Sequence, residues 1–259
     1  MFFNSQAGQD LFVLKATKEK RDGTFVELGS WQPIEGNNTY ILENEYNWSG
    51  LMVERDAGWL PSYKQHRPNS KPIMADALLL DYEKVFEELN FPVDIDYLSI
   101  DLEPQDRSAL VILEKLEKEV MGKHKFGVVT YEHAIYLEGR YEEDQVKKNL
   151  RDTLEVSREI FKNHGYFRAY SNVANGNRIH SRGGDGGPFE DWYVHPDLID
   201  TEFINKEMTL ESEDYSGEHE GLQWSEIVAK MTDPESSIQR WSNLTLTKIC
   251  ENHRSNIFH

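Results

Sequence analysis

The sequence predicts an α/β fold: a seven-stranded, mostly parallel sheet with an antiparallel hairpin at one edge. Three observations carry this. Short apolar runs alternate with helix-periodic stretches over residues 24–163, the pattern of parallel strands joined by right-handed crossovers. The first run, Thr24-Phe25-Val26-Glu27-Leu28-Gly29, ends in glycine, and the second, Gly50-Leu51-Met52-Val53-Glu54, ends in an acid. The last two runs, 166–170 and 191–194, have no helix between them, so they pair as an edge hairpin.

Taken in order, a helix opens the chain at residues 8–20. The first strand follows at 24–29, a helix passes through Tyr40, Leu42 and Tyr46, and the second strand spans 50–54. A helix at 56–66 tolerates Pro61 only in its first turn, where the missing amide donor costs nothing. The third strand, 72–75, ends at Asp76, and Asp81 caps a helix over 82–89. The strongest strand is 95–101, Ile-Asp-Tyr-Leu-Ser-Ile-Asp. Asp106 caps the next helix, which carries Leu110, Leu113, Leu116 and Val120 on one face and stops at Gly122. A fifth strand spans 126–132, and a helix over 142–163 ends before Gly165. Residues 1–204 therefore read as one sheet domain with an N-terminal helix. Residues 205–259 read as an acidic extension with one amphipathic candidate at 224–231.

A chain of 259 residues with 38% hydrophobic content supports a real core, and it shows no internal repeats. One cysteine, Cys250, excludes an internal disulfide and a multi-cysteine zinc site. No apolar run approaches the ~18 residues of a membrane span, and the amino terminus lacks signal-peptide features. The expectation is a soluble, cytoplasmic protein. The formal charge is −18, and residues 185–235 hold 15 acids against Lys206 and Lys230. Such a surface repels a phosphate backbone, so nucleic acid is a poor partner.

Glycine has no evident packing requirement at a strand end, so Gly29 reads as a place where a ligand lies on bare backbone. Glu54 stands where such sheets hold the two hydroxyls of a ribose. The dinucleotide fingerprint G-x-G-x-x-G is absent, which favours S-adenosylmethionine over NAD. Ser30 joins Gly29 as an expected cofactor contact. Asp76, with Ala77 beside it, is placed either to accept the adenine amino group or to cap a helix. Asp101, Glu103, Glu132 and His133 end adjacent strands, where open α/β sheets place their chemistry.

Several stretches then occur in a telling order: Ser5-Gln6-Ala7-Gly8-Gln9-Asp10, Asn38-Thr39-Tyr40-Ile41-Leu42-Glu43, Trp48-x-Gly50-Leu51 with Glu54, Tyr97-Leu98-Ser99-Ile100-Asp101-Leu102-Glu103, and Val129-Thr130-Tyr131-Glu132-His133. Over roughly residues 4–170 the chain resembles the FkbM-type methyltransferases, and Glu190-Asp191-Trp192-Tyr193-Val194 resembles their seventh strand. The resemblance implies a Rossmann-like, class I methyltransferase architecture with S-adenosylmethionine as methyl donor. It implies an oxygen on a sugar, glycan or other glycosylated small molecule as acceptor, and Gln6, Gln9 and Asp10 as site residues.

The loop Gly29-Ser30-Trp31-Gln32-Pro33 departs from the family's G-A-x-D-G, and Asp101-Leu102-Glu103-Pro104 departs from its D-x-E-G. Proline fixes φ and lacks an N–H, so both loops are built without glycine's freedom. These prolines motivate one rival, a catalytically silent module for binding or assembly. A nucleotide-dependent oxidoreductase is a second rival, disfavoured by the missing fingerprint.

A hydroxyl acceptor must lose its proton, and His133 is the expected general base, with Asp101 second. Acids at two neighbouring strand ends also suggest a divalent metal, magnesium, manganese or calcium, on Asp101, Glu132 and His133. Adjacent strand residues face opposite ways, so Glu132 and His133 converge only if the strand ends between them. The glycine-rich stretch 171–190, with Arg178, His180 and Arg182, is expected to form a lid or acceptor wall. The sequence leaves the acceptor's identity and any homo-oligomer open.

Overall fold

A computed structural model describes residues 4–174 and 187–208 of the chain. The strands are β1 Thr24–Leu28, β2 Ser49–Glu54, β3 Lys71–Met74, β4 Asp94–Ile100, β5 Lys125–Glu132, β6 Phe167–Ala174 and β7 Pro188–Val194. They form a seven-stranded sheet in the order β3-β2-β1-β4-β5-β7-β6. The first five are parallel, and β7 enters antiparallel between β5 and β6. This is the α/β sheet with an edge hairpin that the apolar runs predict.

Among the described residues, six helices of seven residues or more cover the sheet: α1 Gln9–Ala16, α2 Tyr40–Tyr46, α3 Leu60–His66, α4 Tyr82–Glu88, α5 Ser108–Glu119 and α6 Asp144–Asn163. Alternate strand residues serve opposite layers. Phe25, Met52, Tyr97 and Val128 pack against Phe12, Leu42 and Tyr63 of α1–α3. Val26, Leu51, Leu98 and Val129 pack against Phe86, Leu113 and Phe161 of α4–α6. From β1 the chain steps outward through β2 to β3, then returns to β4 on β1's other side. The connections above β1 and β4 therefore diverge and open a crevice at their carboxyl ends.

Two boundaries differ from the sequence reading. α1 stops at Ala16 rather than residue 20, because Lys18 and Glu19 adopt left-handed φ of 52° and 58°. All eight of its residues are buried, and Phe12 stacks on Trp192 at 5.0 Å, so it has no polar face to mark its extent. The hairpin strands are longer than 166–170 and 191–194, reaching Ala174 and starting at Pro188. Arg178, His180 and Arg182 lie outside the described residues, as do residues 209–259 with the candidate at 224–231. Among the described residues no helix is long and apolar enough to cross a membrane.

Candidate functional site

Gly29 extends β1 by one residue, donating its N–H to the Val53 carbonyl at 3.0 Å. It holds φ at +83°, and a Cβ built there would stand 1.9 Å from the Asp101 carbonyl oxygen. Packing therefore does require glycine, contrary to the sequence reading: the ends of β1 and β4 touch through it. Gly29 also lines two cavities. The first, about 400 Å³, lies beneath the loop 30–38 and is bordered by Gln6, Glu27, Asn38 and Asp101. The second, about 440 Å³, runs from Glu54 and Arg55 past Leu102 to Asp76 and Ala77. Gly29, Trp31 and Asp101 border both. A cavity of about 370 Å³ at the opposite edge, beside Thr24, Ser49 and Lys71, is lined by none of the predicted site residues.

Glu54 reaches the second cavity already engaged. Its Oε2 accepts from Trp31 N at 2.9 Å and its Oε1 from Asp56 N at 2.7 Å. A carboxylate offers about four lone-pair sites, so two remain for a ligand. Of the two roles expected of Asp76 the structure shows the cap: Oδ1 accepts from Leu78 N at 2.9 Å, and the residue also lines the second cavity. Ser30 lines the first cavity, but its Oγ and carbonyl both accept from Tyr63 OH, at 2.7 and 3.1 Å.

A buried polar network fixes the loop. Glu27 accepts from Asn37 Nδ2 at 3.0 Å, Thr39 Oγ1 at 2.8 Å and Asn38 N at 3.0 Å. Burial pushes its carboxyl up to about 7, opposed by Arg67 and these donors. Arg67 is itself buried, bonded to Glu43 at 2.8 Å, Asn37 Oδ1 at 2.7 Å, Thr39 Oγ1 at 2.7 Å and the Pro33 carbonyl at 3.2 Å. Pro33 thus serves as an acceptor, and left-handed backbone falls to Trp31 at 46° and Gly36 at 73°. Pro104 opens a 3₁₀ turn, where its missing donor is not needed. Both prolines fit without blocking either cavity.

The structure brings Asp101 and Glu132 together and sends His133 elsewhere. Burial, then the neighbouring Asp101, holds the Glu132 carboxyl well above its ordinary range. His133 is fully buried with Nε2 3.6 Å from Asp191 Oδ1, on the side where Arg158 Nε meets Asp191 Oδ2 at 2.6 Å. β5 runs through Glu132, and the His133 N–H bonds Phe189 O at 2.7 Å, so the ladder continues past the point where it needed to end. Alternation then separates the two side chains. The expected metal trio of Asp101, Glu132 and His133 is not assembled. Among the described residues no group of three or more His, Cys, Asp or Glu side chains is placed to hold a metal ion.

Gln9 and Asp10 also lie away from the cavities. Gln9 Nε2 donates to Glu190 Oε1 at 3.0 Å, and Asp10 binds Ser5 Oγ at 2.6 Å and the Asn4 amide at 2.6 Å. Both are fully buried and fasten the N-terminal turn. Gln6 alone of that trio lines the first cavity. Three residues that the sequence reading missed stand at the site: Glu27, Trp31 and Asn38. Glu27 had a signal, a charge inside an apolar strand. Asn38 Oδ1 is buried with no donor, while its Nδ2 bonds Ser99 Oγ at 3.0 Å.

Glu190, bonded to Gln9 and to Trp192 Nε1 at 2.5 Å, is pushed by burial, and further by Asp101, up to about 8. In the unfolded chain it titrates near 4.5. Between those values the folded state keeps a proton that the unfolded state releases, so stability falls as pH rises through that window. Thermal melts are expected to show a lower Tm at about pH 8 than at about pH 5.5 by a few °C, with Glu190→Gln flattening the dependence. An unchanged slope in that variant would clear Glu190 of the effect.

No family model matches the sequence, and no curated protein matches it. Solved structures do. One is a precorrin-6y C5,15-methyltransferase from Geobacter metallireducens GS-15, 16% identical over 71% of this chain and 86% of that one, TM-score 0.44. Another is a TehB-like SAM-dependent methyltransferase from Corynebacterium glutamicum ATCC 13032, 13% identical over 72% and 87%, TM-score 0.40. A third is the plantazolicin methyltransferase BpumL in complex with SAH, 9% identical over 73% and 82%, TM-score 0.42.

Proposed function

We propose that this protein is an S-adenosylmethionine-dependent O-methyltransferase acting on a hydroxyl of a carbohydrate or glycosylated acceptor. The observation that carries the proposal is the pair of cavities meeting at Gly29 and Asp101, over the β1–β4 switch point. Together they form a cleft with an acid at its far wall, Glu54, another at its adenine end, Asp76, and a third, Asp101, where the two parts join.

The donor set fits the cofactor. The free lone pairs of Glu54 suit two ribose hydroxyls, and the second oxygen of Asp76 suits an adenine amino group. When bound, S-adenosylmethionine supplies an electrophilic methyl group on a sulfonium. Asp101 borders both cavities, so its carboxylate is the chain's candidate to take the acceptor hydroxyl's proton as the new O–C bond forms. Glu132 lies beside it, its carboxyl raised by burial and by Asp101, but it lines neither cavity. The carbohydrate acceptor is supported by the resemblance of the sequence motifs.

The test is transfer of labelled methyl from S-adenosylmethionine to a panel of mono- and oligosaccharides. Label is expected on a carbohydrate oxygen, and Asp101→Asn is expected to lower turnover by about 10²–10⁴-fold. Label appearing only on amines or peptides would contradict the acceptor. Full turnover in Asp101→Asn would remove it as the base.

A further inference from the structure

We infer that Trp31 is the platform on which the adenine ring of the bound nucleoside stacks; this rests on the cofactor reading above. Trp31 is 58% exposed, at the lip of the cleft, where a large apolar side chain gains nothing from the core. Among the described residues it is the one aromatic lining either cavity. Its backbone is left-handed at φ 46°, a conformation that costs a residue with a Cβ and that tends to persist at functional positions.

The surroundings hold it there from both sides. Its N–H is bound by Glu54 Oε2 at 2.9 Å, and its carbonyl accepts from Tyr63 OH at 3.0 Å. The Trp59 ring packs against the indole in a T-shaped pair, centroids 6.4 Å apart at 76°, which supports the ring while more than half of the residue stays exposed. Trp31 is thus tied by one hydrogen bond to the carboxylate that suits the ribose, so its indole stands within reach of the base that the ribose carries. Across the second cavity, Leu78 and Leu102 offer aliphatic surface for the other face of a planar ring. A flat ring between an indole and two leucines, with Asp76 at its polar edge, is the chemistry of a purine.

The experiment measures S-adenosylhomocysteine affinity by calorimetry for the wild type, Trp31→Phe and Trp31→Gly, with Tm alongside. Glycine accepts the positive φ without strain, so Trp31→Gly is expected to keep its Tm while losing affinity on the order of ten-fold or more. Trp31→Phe, which keeps a ring, is expected to stay within a few-fold of wild type. Equal affinity in all three proteins would overturn the inference and leave the cofactor reading standing. So would unchanged affinity with a raised acceptor KM, which would place the indole against the acceptor instead. Absence of binding by the wild type would overturn both.

Discussion

Replacing Gly29 with alanine is expected to be the most damaging single change in the protein. The new methyl would stand 1.9 Å from the Asp101 carbonyl, with φ at +83°, so the ends of β1 and β4 would have to part. Neither backbone can yield cheaply, because Gly29 and Ser30 both bond Val53 O and Asp101 N bonds Leu28 O. A loss of ~3–5 kcal/mol is expected, at the upper end of single substitutions. That corresponds to a Tm lower by roughly 10 °C, and the two cavities would lose their common wall. A thermal melt checks the first effect and S-adenosylhomocysteine titration the second. A Tm within a degree or two of wild type would show that the strand ends are looser than described.

Arg67→Ala is expected to rank next. Arg67 and Glu43 are both buried, and removing one partner of a buried pair leaves an uncompensated charge, at ~3–5 kcal/mol. The guanidinium also holds Asn37, Thr39 and the Pro33 carbonyl, which orient the loop over the first cavity. Chemical denaturation should therefore show the stability loss, and ligand affinity should fall even where the variant remains folded. Loss of stability with affinity intact would separate the network from the site.

Much of the fold was legible because each strand is a short apolar run and each crossover an amphipathic helix, and those periods do not depend on distant contacts. Of the residues expected at the cleft by strand-end logic, Gly29, Glu54, Asp76, Asp101 and Glu103 line it, whereas Glu132 and His133 do not. The misreadings arise where side-chain direction decides. His133 follows Glu132 in sequence but turns to the other face of the sheet, towards Asp191 and Arg158. There, against the burial that would raise it, His133 and Arg158 hold the Asp191 carboxyl well below its ordinary range. Gln9 and Asp10 read as polar site residues, yet Gln9 is consumed by Glu190, distant in sequence on β7, and Asp10 by Ser5 and Asn4 in the N-terminal turn. Trp31 gave no signal, since an aromatic residue in a loop is as readily core as platform. Only its exposure and its left-handed backbone distinguish it.

The cleft over Gly29 is expected to bind S-adenosylmethionine through Glu54. Calorimetric titration of S-adenosylhomocysteine tests it most directly. The expected result is saturable binding at one ligand per chain, weakened by about 1.5–3 kcal/mol in a folded Glu54→Ala variant, the range for a hydrogen bond to a charged group. No binding to the wild type, or identical binding to Glu54→Ala, would contradict it.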